Sequence, residues 1–162
     1  DLMMFGYYIF NNIGNSLRTF ASGLLAGVGP ALTLAFNGVI IGGVAGHLQG
    51  SGHGDPFWRF VAGHSAFELS AIVIAGGAGL RLSLDLIALG WCWCVDAFVE
   101  GGRRGARLCL GVFVMLVAAA FIEASWSSLG WTPAWGKYSV GGALWALVLA
   151  WLWFGGRDRH AP

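Results

Sequence analysis

His64 and Glu68 stand four residues apart in GHSAFELSAIVIAGGAGLRL (63–82), a run with no further charge until Arg81. At about 100° per residue, His64, Glu68, Ala71, Ala75, Ala78 and Gly79 share one helix face, with Leu69, Val73 and Leu80 opposite. A second carboxylate, Glu123 in AAAFIEASW (118–126), and a mid-span amide, Asn37 in FNGVIIGG (36–43), are the other polar groups set in apolar sequence. Imidazole, carboxylates and amide in such surroundings suit three chemistries: polar bonds that fix helix packing, a proton or ion path, or a metal or hydrolytic site. An ionisable side chain in a membrane span costs on the order of 3 kcal/mol, so each of these groups calls for a partner.

The three readings make different demands. As packing glue, His64 and Glu68 bond each other, Glu123 and loop backbone near an interface that water reaches. A proton or ion path needs continuation toward the opposite side, for which Asn37 is the one mid-span candidate. A metal site has a legal donor set in one histidine and two glutamates, but the HExxH helix spacing is missing and no second histidine lies in a span away from its end. His47, at the end of its span, and His53 belong to the outer loop region, and no metal or other cofactor is expected.

The elements that position these groups follow from composition. The 162 residues are 57% hydrophobic and 10% charged, where soluble domains carry roughly a quarter charged residues. The expected fold is therefore all-α, a polytopic transmembrane helix bundle. Four windows have the roughly 20 apolar residues that a span needs: 31–48, 62–82, 106–125 and 137–154. The stretch 5–27 is interrupted by Asn11, Asn12, Asn15 and Arg18 and breaks at GVGP (27–30), which predicts an interfacial or re-entrant helix. Residues 84–99, with Asp85, Trp91, Trp93 and Asp96, suit a helix at the headgroup level. The whole is one membrane domain. Because it begins at Asp1 with no basic leader, it is expected to be a fragment of a longer chain.

Arginine distribution sets the orientation. Arg18, Arg81, Arg103, Arg104, Arg107, Arg157 and Arg159 fall at one set of span ends, and only Arg59 and Lys137 at the other. By the positive-inside rule, both termini and residues 83–105 are cytoplasmic, while 49–61 and 126–136 face outward. This topology brings Glu68 and Glu123 to a similar depth in the outer half of the bundle. The cluster GGRRGAR (101–107) reads as the topology signal, with anionic lipid heads as its natural neighbours.

Gly38, Gly42 and Gly46 recur at every fourth position, seconded by Gly23 and Gly27 and by Ala75 and Gly79. Small residues so spaced let helix backbones approach closely, within one chain or between two copies, and the intramolecular case is expected here because several spans need partners. Gly42→Leu is then expected to be far more damaging than Gly141→Leu. Cys92, Cys94 and Cys109 are an odd number beside a cytoplasmic segment, which argues against disulfides, and two thiols without a second pair make a poor zinc site. A net charge of +1 with no basic stripe excludes nucleic acid as a partner.

In YIFNNIGNSLRTFASGLLAGVGP (8–30), FNGVIIGG, GHSAFELSAIVIAGGAGLRL and AAAFIEASW, the ordered Asn-Asn, Asn-Gly, His-x3-Glu and Ile-Glu elements resemble the stage II sporulation protein M family of integral membrane proteins. That family's third motif usually begins Pro-His-Gly, where this chain has Gly63, His64 and Ser65. The resemblance implies residence in the bacterial inner membrane and no enzymatic activity. In spore-forming relatives it implies a scaffold that recruits peptidoglycan-degrading partners during engulfment. The expected function is thus a membrane scaffold or assembly factor for cell-envelope machinery, with His64, Glu68, Asn37 and Glu123 organising the outer half of the bundle, membrane lipids and envelope proteins as partners, and a homo-oligomer possible. The alternative is a transporter or channel-like protein that moves protons, ions or a small polar solute.

Overall fold

The computed structural model describes residues 2–25, 27–92 and 95–155, and the side chains of these except 88–98. The expectations attached to Trp91, Cys92, Trp93, Cys94, Asp96, Arg157 and Arg159 therefore lie outside what is described. The chain is all-helical among the described residues: α1 (Leu2–Ala21), a 3-10 turn (Ser22–Leu24), α2 (Val28–Gly50), α3 (Gly54–Ala62), α4 (Ser65–Cys92), α5 (Val95–Ile122), a π-helical turn (Glu123–Ser127) and α6 (Ala134–Phe154). Four segments are long and apolar enough to cross a membrane: Val28–Gly50, Ser65–Ile87, Val99–Ser127 and Ala134–Phe154. In hydrocarbon only a helix or a closed barrel satisfies every backbone N–H and C=O, so an apolar run of this length has one stable form here.

Local chemistry sets the boundaries. Gly27 precedes α2 with φ of 88°, a left-handed conformation that costs glycine little, and Pro30 sits in the first turn, where a missing N–H is tolerated. At the far end, Ser51 N–H donates to the His47 carbonyl at 2.9 Å and His53 N–H to that of Leu48 at 2.8 Å, closing the helix before α3. In α3, Asp55 opens the first turn and pairs with Arg59 at 2.7 Å on an exposed face. Pro133, in an extended conformation, ends the loop ahead of α6.

The centre of the bundle is α4. Its small residues Ala66, Ala71, Ala75 and Ala78 are buried, and α5 packs along it through Val112, Leu116, Ala119 and Ala120. Half of the apolar window of α4 is buried (50%), against 17% for α2 and for α6, so those two helices form the periphery. At the opposite end from His64, Arg81 pairs with Asp85 at 3.5 Å and Arg104 with Glu100 at 3.2 Å, and Gly101 lies directly against the Asp85 carboxylate. Of the 84–99 segment, the described residues belong to the two long helices, α4 continuing to Cys92 and α5 starting at Val95.

The amphipathic helix α1 turns its polar side inward: Asn12, Ser16 and Thr19 are buried. It meets the π turn near its start, lines a cavity with Ala75, Val112 and Leu116 through Ile13 and Ser16, and sets the carbonyls of Thr19 and Phe20 against Gly79. Thus α1 runs beside α4 from the level of Glu123 to that of Gly79. The helix order then puts Leu2, where α1 starts, at the His64 end of the bundle and Phe154, where α6 ends, at the Arg81 end. With α1 counted among the helices that traverse the bundle, these described helix ends fall at opposite ends, where both were expected on one side.

The glycine pattern divides in two. Ala75 is buried and Gly79 touches the backbone of α1, so this pair serves packing within the chain. Nothing lies within 4 Å of the position that a Cβ would take at Gly38, Gly42 or Gly46. Among the described residues the α2 ladder therefore makes no intramolecular contact, which corrects the expectation above: the sequence pattern marks a close-approach surface without naming its neighbour. Gly141 is corrected as well. It meets the carbonyl of Ala62 and has no room for a side chain.

Candidate functional site

Gly63 and His64 form the bend between α3 and α4. The His64 carbonyl accepts from the N–H groups of Phe67 at 3.1 Å and Glu68 at 3.2 Å, so the ring is fixed at the head of α4. Gly63 is needed for close approach: a Cβ there would lie 2.6 Å from Ser127 Oγ and 3.2 Å from Trp126 Cδ1. Through this gap the π turn, which ends α5, reaches His64. Such turns are rare and concentrate at functional sites.

Three of the four polar residues singled out in the sequence meet here. His64 Nε2 is 3.5 Å from Glu68 Oε2 and 3.9 Å from Glu123 Oε1. His64 and Glu123 are buried, at 4% and 6% exposure, and Glu68 is partly so. On the other side of the ring, Nδ1 lies 3.2 Å from Ser127 Oγ, and Phe60 packs edge-to-face at 5.2 Å between ring centroids. Lys137 Nζ, also buried, donates to the Ser127 carbonyl at 2.8 Å, and Ser128 Oγ donates to that of Glu123 at 2.8 Å. These bonds hold the π turn in shape.

Asn37 does not join them. Its Oδ1 accepts from Asn15 Nδ2 at 3.0 Å, tying α2 to α1, and its own Nδ2 is buried without a partner. Depth along a span was the reason to group Asn37 with the others, but depth leaves open which neighbour a helix face meets. Ser127, Phe60 and Lys137 escaped the sequence reading. The one signal for Ser127 was its place four residues after Glu123, and for Lys137 its isolation among apolar residues.

A pocket of about 350 Å³ opens beside the cluster, lined by Arg59, Phe60, Ser127, Thr132 and Lys137 among others. Phe60 and Ser127 both touch His64, so the pocket reaches the ring's immediate neighbours. An apolar cavity of about 90 Å³ lies farther down, between α1, α4 and α5.

The sequence profile of the family described as SpoIIM, Stage II sporulation protein M, matches residues 1–128. The chain belongs to that family. The match takes in α1 to α5 and the π turn, and so every residue of the SpoIIM chain's His64–Glu68–Glu123 cluster. Neither a curated protein nor a solved structure matches the chain.

Proposed function

We propose that this SpoIIM-family chain is a non-enzymatic scaffold of the bacterial cytoplasmic membrane that holds a transmembrane helix of an envelope protein against α2. The observation that carries the reading is the open ladder of Gly38, Gly42 and Gly46. In lipid, apolar side chains gain nothing by leaving the hydrocarbon, and helices associate where small residues bring backbones together. A ladder of this kind that no described residue of its own chain covers is suited to a helix from outside it. The family's link to peptidoglycan-degrading machinery in spore-forming relatives makes an envelope protein the fitting partner. The orientation that accompanies this reading follows the positive-inside rule, with Arg81, Arg103, Arg104 and Arg107 cytoplasmic and the His64 end outward.

Photo-crosslinking from Val39 and Ile40, which flank the ladder and are exposed, tests this in native membranes. The expected products are adducts with an envelope protein that are lost in Gly42→Leu and are not formed from Leu149 of α6. Adducts with lipid alone would remove the scaffold reading. Adducts with a second copy alone would replace it by a homo-oligomer.

A further inference from the structure

The separations inside the cluster are unusual for hydrogen bonds. An N–H···O bond spans 2.7–3.2 Å, whereas His64 Nε2 stands 3.5 and 3.9 Å from the two carboxylates. Two ligands bound at about 2.0–2.1 Å to one tetrahedral ion of the zinc class lie about 3.3 Å apart. One donor atom each from His64, Glu68 and Glu123 can be chosen so that all lie within 4.8 Å of one another. The donor atoms converge on one point at somewhat more than that spacing, which rotamer changes of the two glutamates can close.

Three further observations agree. Glu123 is 6% exposed and its Oε2 is buried with no hydrogen-bond partner, although the side chain points into the cluster. Among the described residues no lysine or arginine comes within 4.0 Å of either carboxylate, so the pair lacks a cation of its own. Ser127 Oγ at His64 Nδ1 provides the outer-shell contact that metal-binding histidines use. When the hydroxyl accepts from Nδ1–H, Nε2 presents its lone pair toward the carboxylates.

We propose that His64 Nε2, Glu68 and Glu123 bind one divalent transition-metal ion of the zinc class, with water from the adjoining pocket completing its coordination. Imidazole with two carboxylates favours Zn²⁺, Fe²⁺, Co²⁺ or Mn²⁺ over a thiolate-seeking ion. The ion's two positive charges offset both carboxylates, and it joins the α3–α4 bend to the end of α5. This assignment does not depend on the docking of a partner along α2.

Full-length protein in nanodiscs, stripped with a chelator and then equilibrated with Zn²⁺, tests the site by elemental analysis and thermal unfolding. The stripped protein should take up about one Zn²⁺ per chain and melt higher on loading. Glu68→Gln and Glu123→Gln should weaken uptake at least about tenfold and lose the thermal gain, while His53→Ala on the exposed loop changes neither. X-ray absorption of the Co²⁺-loaded wild type needs no variant, and should show oxygen and nitrogen ligands with one imidazole. The proposal is overturned if the stripped wild type takes up no stoichiometric metal, if both glutamine variants bind as it does, if His53→Ala abolishes uptake, or if sulfur ligates the cobalt. The first of these outcomes would favour a proton shared by the two carboxylates.

Discussion

The carbonyl of Gly79 fills the space in which a side chain on Gly23 would begin. This backbone-to-backbone contact joins the 3-10 turn after α1 to the middle of α4, and Ser83 Oγ reinforces it, its single proton shared between the Gly23 carbonyl at 2.5 Å and that of Gly79 at 3.0 Å. Overpacking costs about 1 to 3 kcal/mol. Gly79→Leu and Gly141→Leu should therefore lower the unfolding midpoint in detergent, and Gly42→Leu should leave it unchanged. A drop for Gly42→Leu equal to that for Gly79→Leu would mean that the α2 ladder packs inside its own chain.

Asn15 donates to Asn37 at 3.0 Å and so ties α1 to α2 by their side chains. Polar bonds of this kind inside membranes couple by about 0.6 kcal/mol on average and reach about 1.7. A double-mutant cycle with Asn15→Ala and Asn37→Ala, read by reversible unfolding in mixed micelles, should give a coupling in that range. Additive single effects would mean that the amides do not bond.

Lys137 places its ammonium on the Ser127 carbonyl in a buried setting. Lys137→Met keeps most of the stem but strands that carbonyl, at a cost of about 1 to 3 kcal/mol. Ser127→Ala leaves the carbonyl bonded and removes only the hydroxyl beside His64, for about 1 kcal/mol. Thermal melts of the two variants should rank in that order, and the reverse order would show that the hydroxyl matters more than the buried cation.

The path of α1 beside α4 predicts which positions share a side of the membrane. With the native cysteines replaced, Gly6→Cys and Gly130→Cys should react with an impermeant maleimide from one face, and Gly102→Cys from the other. All three glycines have open space around them, so the substitutions test access without disturbing packing. Labelling of Gly6→Cys together with Gly102→Cys would show that α1 does not traverse the bundle.

Hydropathy made the four apolar helices legible, since each is a long run that lipid forces into one backbone form. The encounter of His64 with Glu68 was legible too, because four-residue spacing on a helix is a local geometric fact. Glu123 came within reach through depth alone, and that argument succeeded because α4 and α5 are neighbours. The same argument failed for Asn37. Its side chain meets α1, and no property of residues 36–43 records which way α2 is rotated in the bundle. The burial of the polar face of α1 was hidden for a related reason: asparagines at 12 and 15 look like an exposed surface until the helices that surround them are known.

The π-helical turn at Glu123–Ser127 carries a residue more than an α-helical path would need, as if one position had been spliced into the end of α5. A chain shortened by one residue at Ala124 or Ser125 could relax into regular helix with its hydropathy almost untouched. The cost would fall on direction, because every later side chain would swing by about 100° relative to Glu123. Ser127 would leave His64, and the Lys137 anchor would lose its carbonyl. At this point in the chain a single-residue deletion is thus a change of aim, and an aligned relative lacking that residue would be expected to keep the helix and give up the cluster.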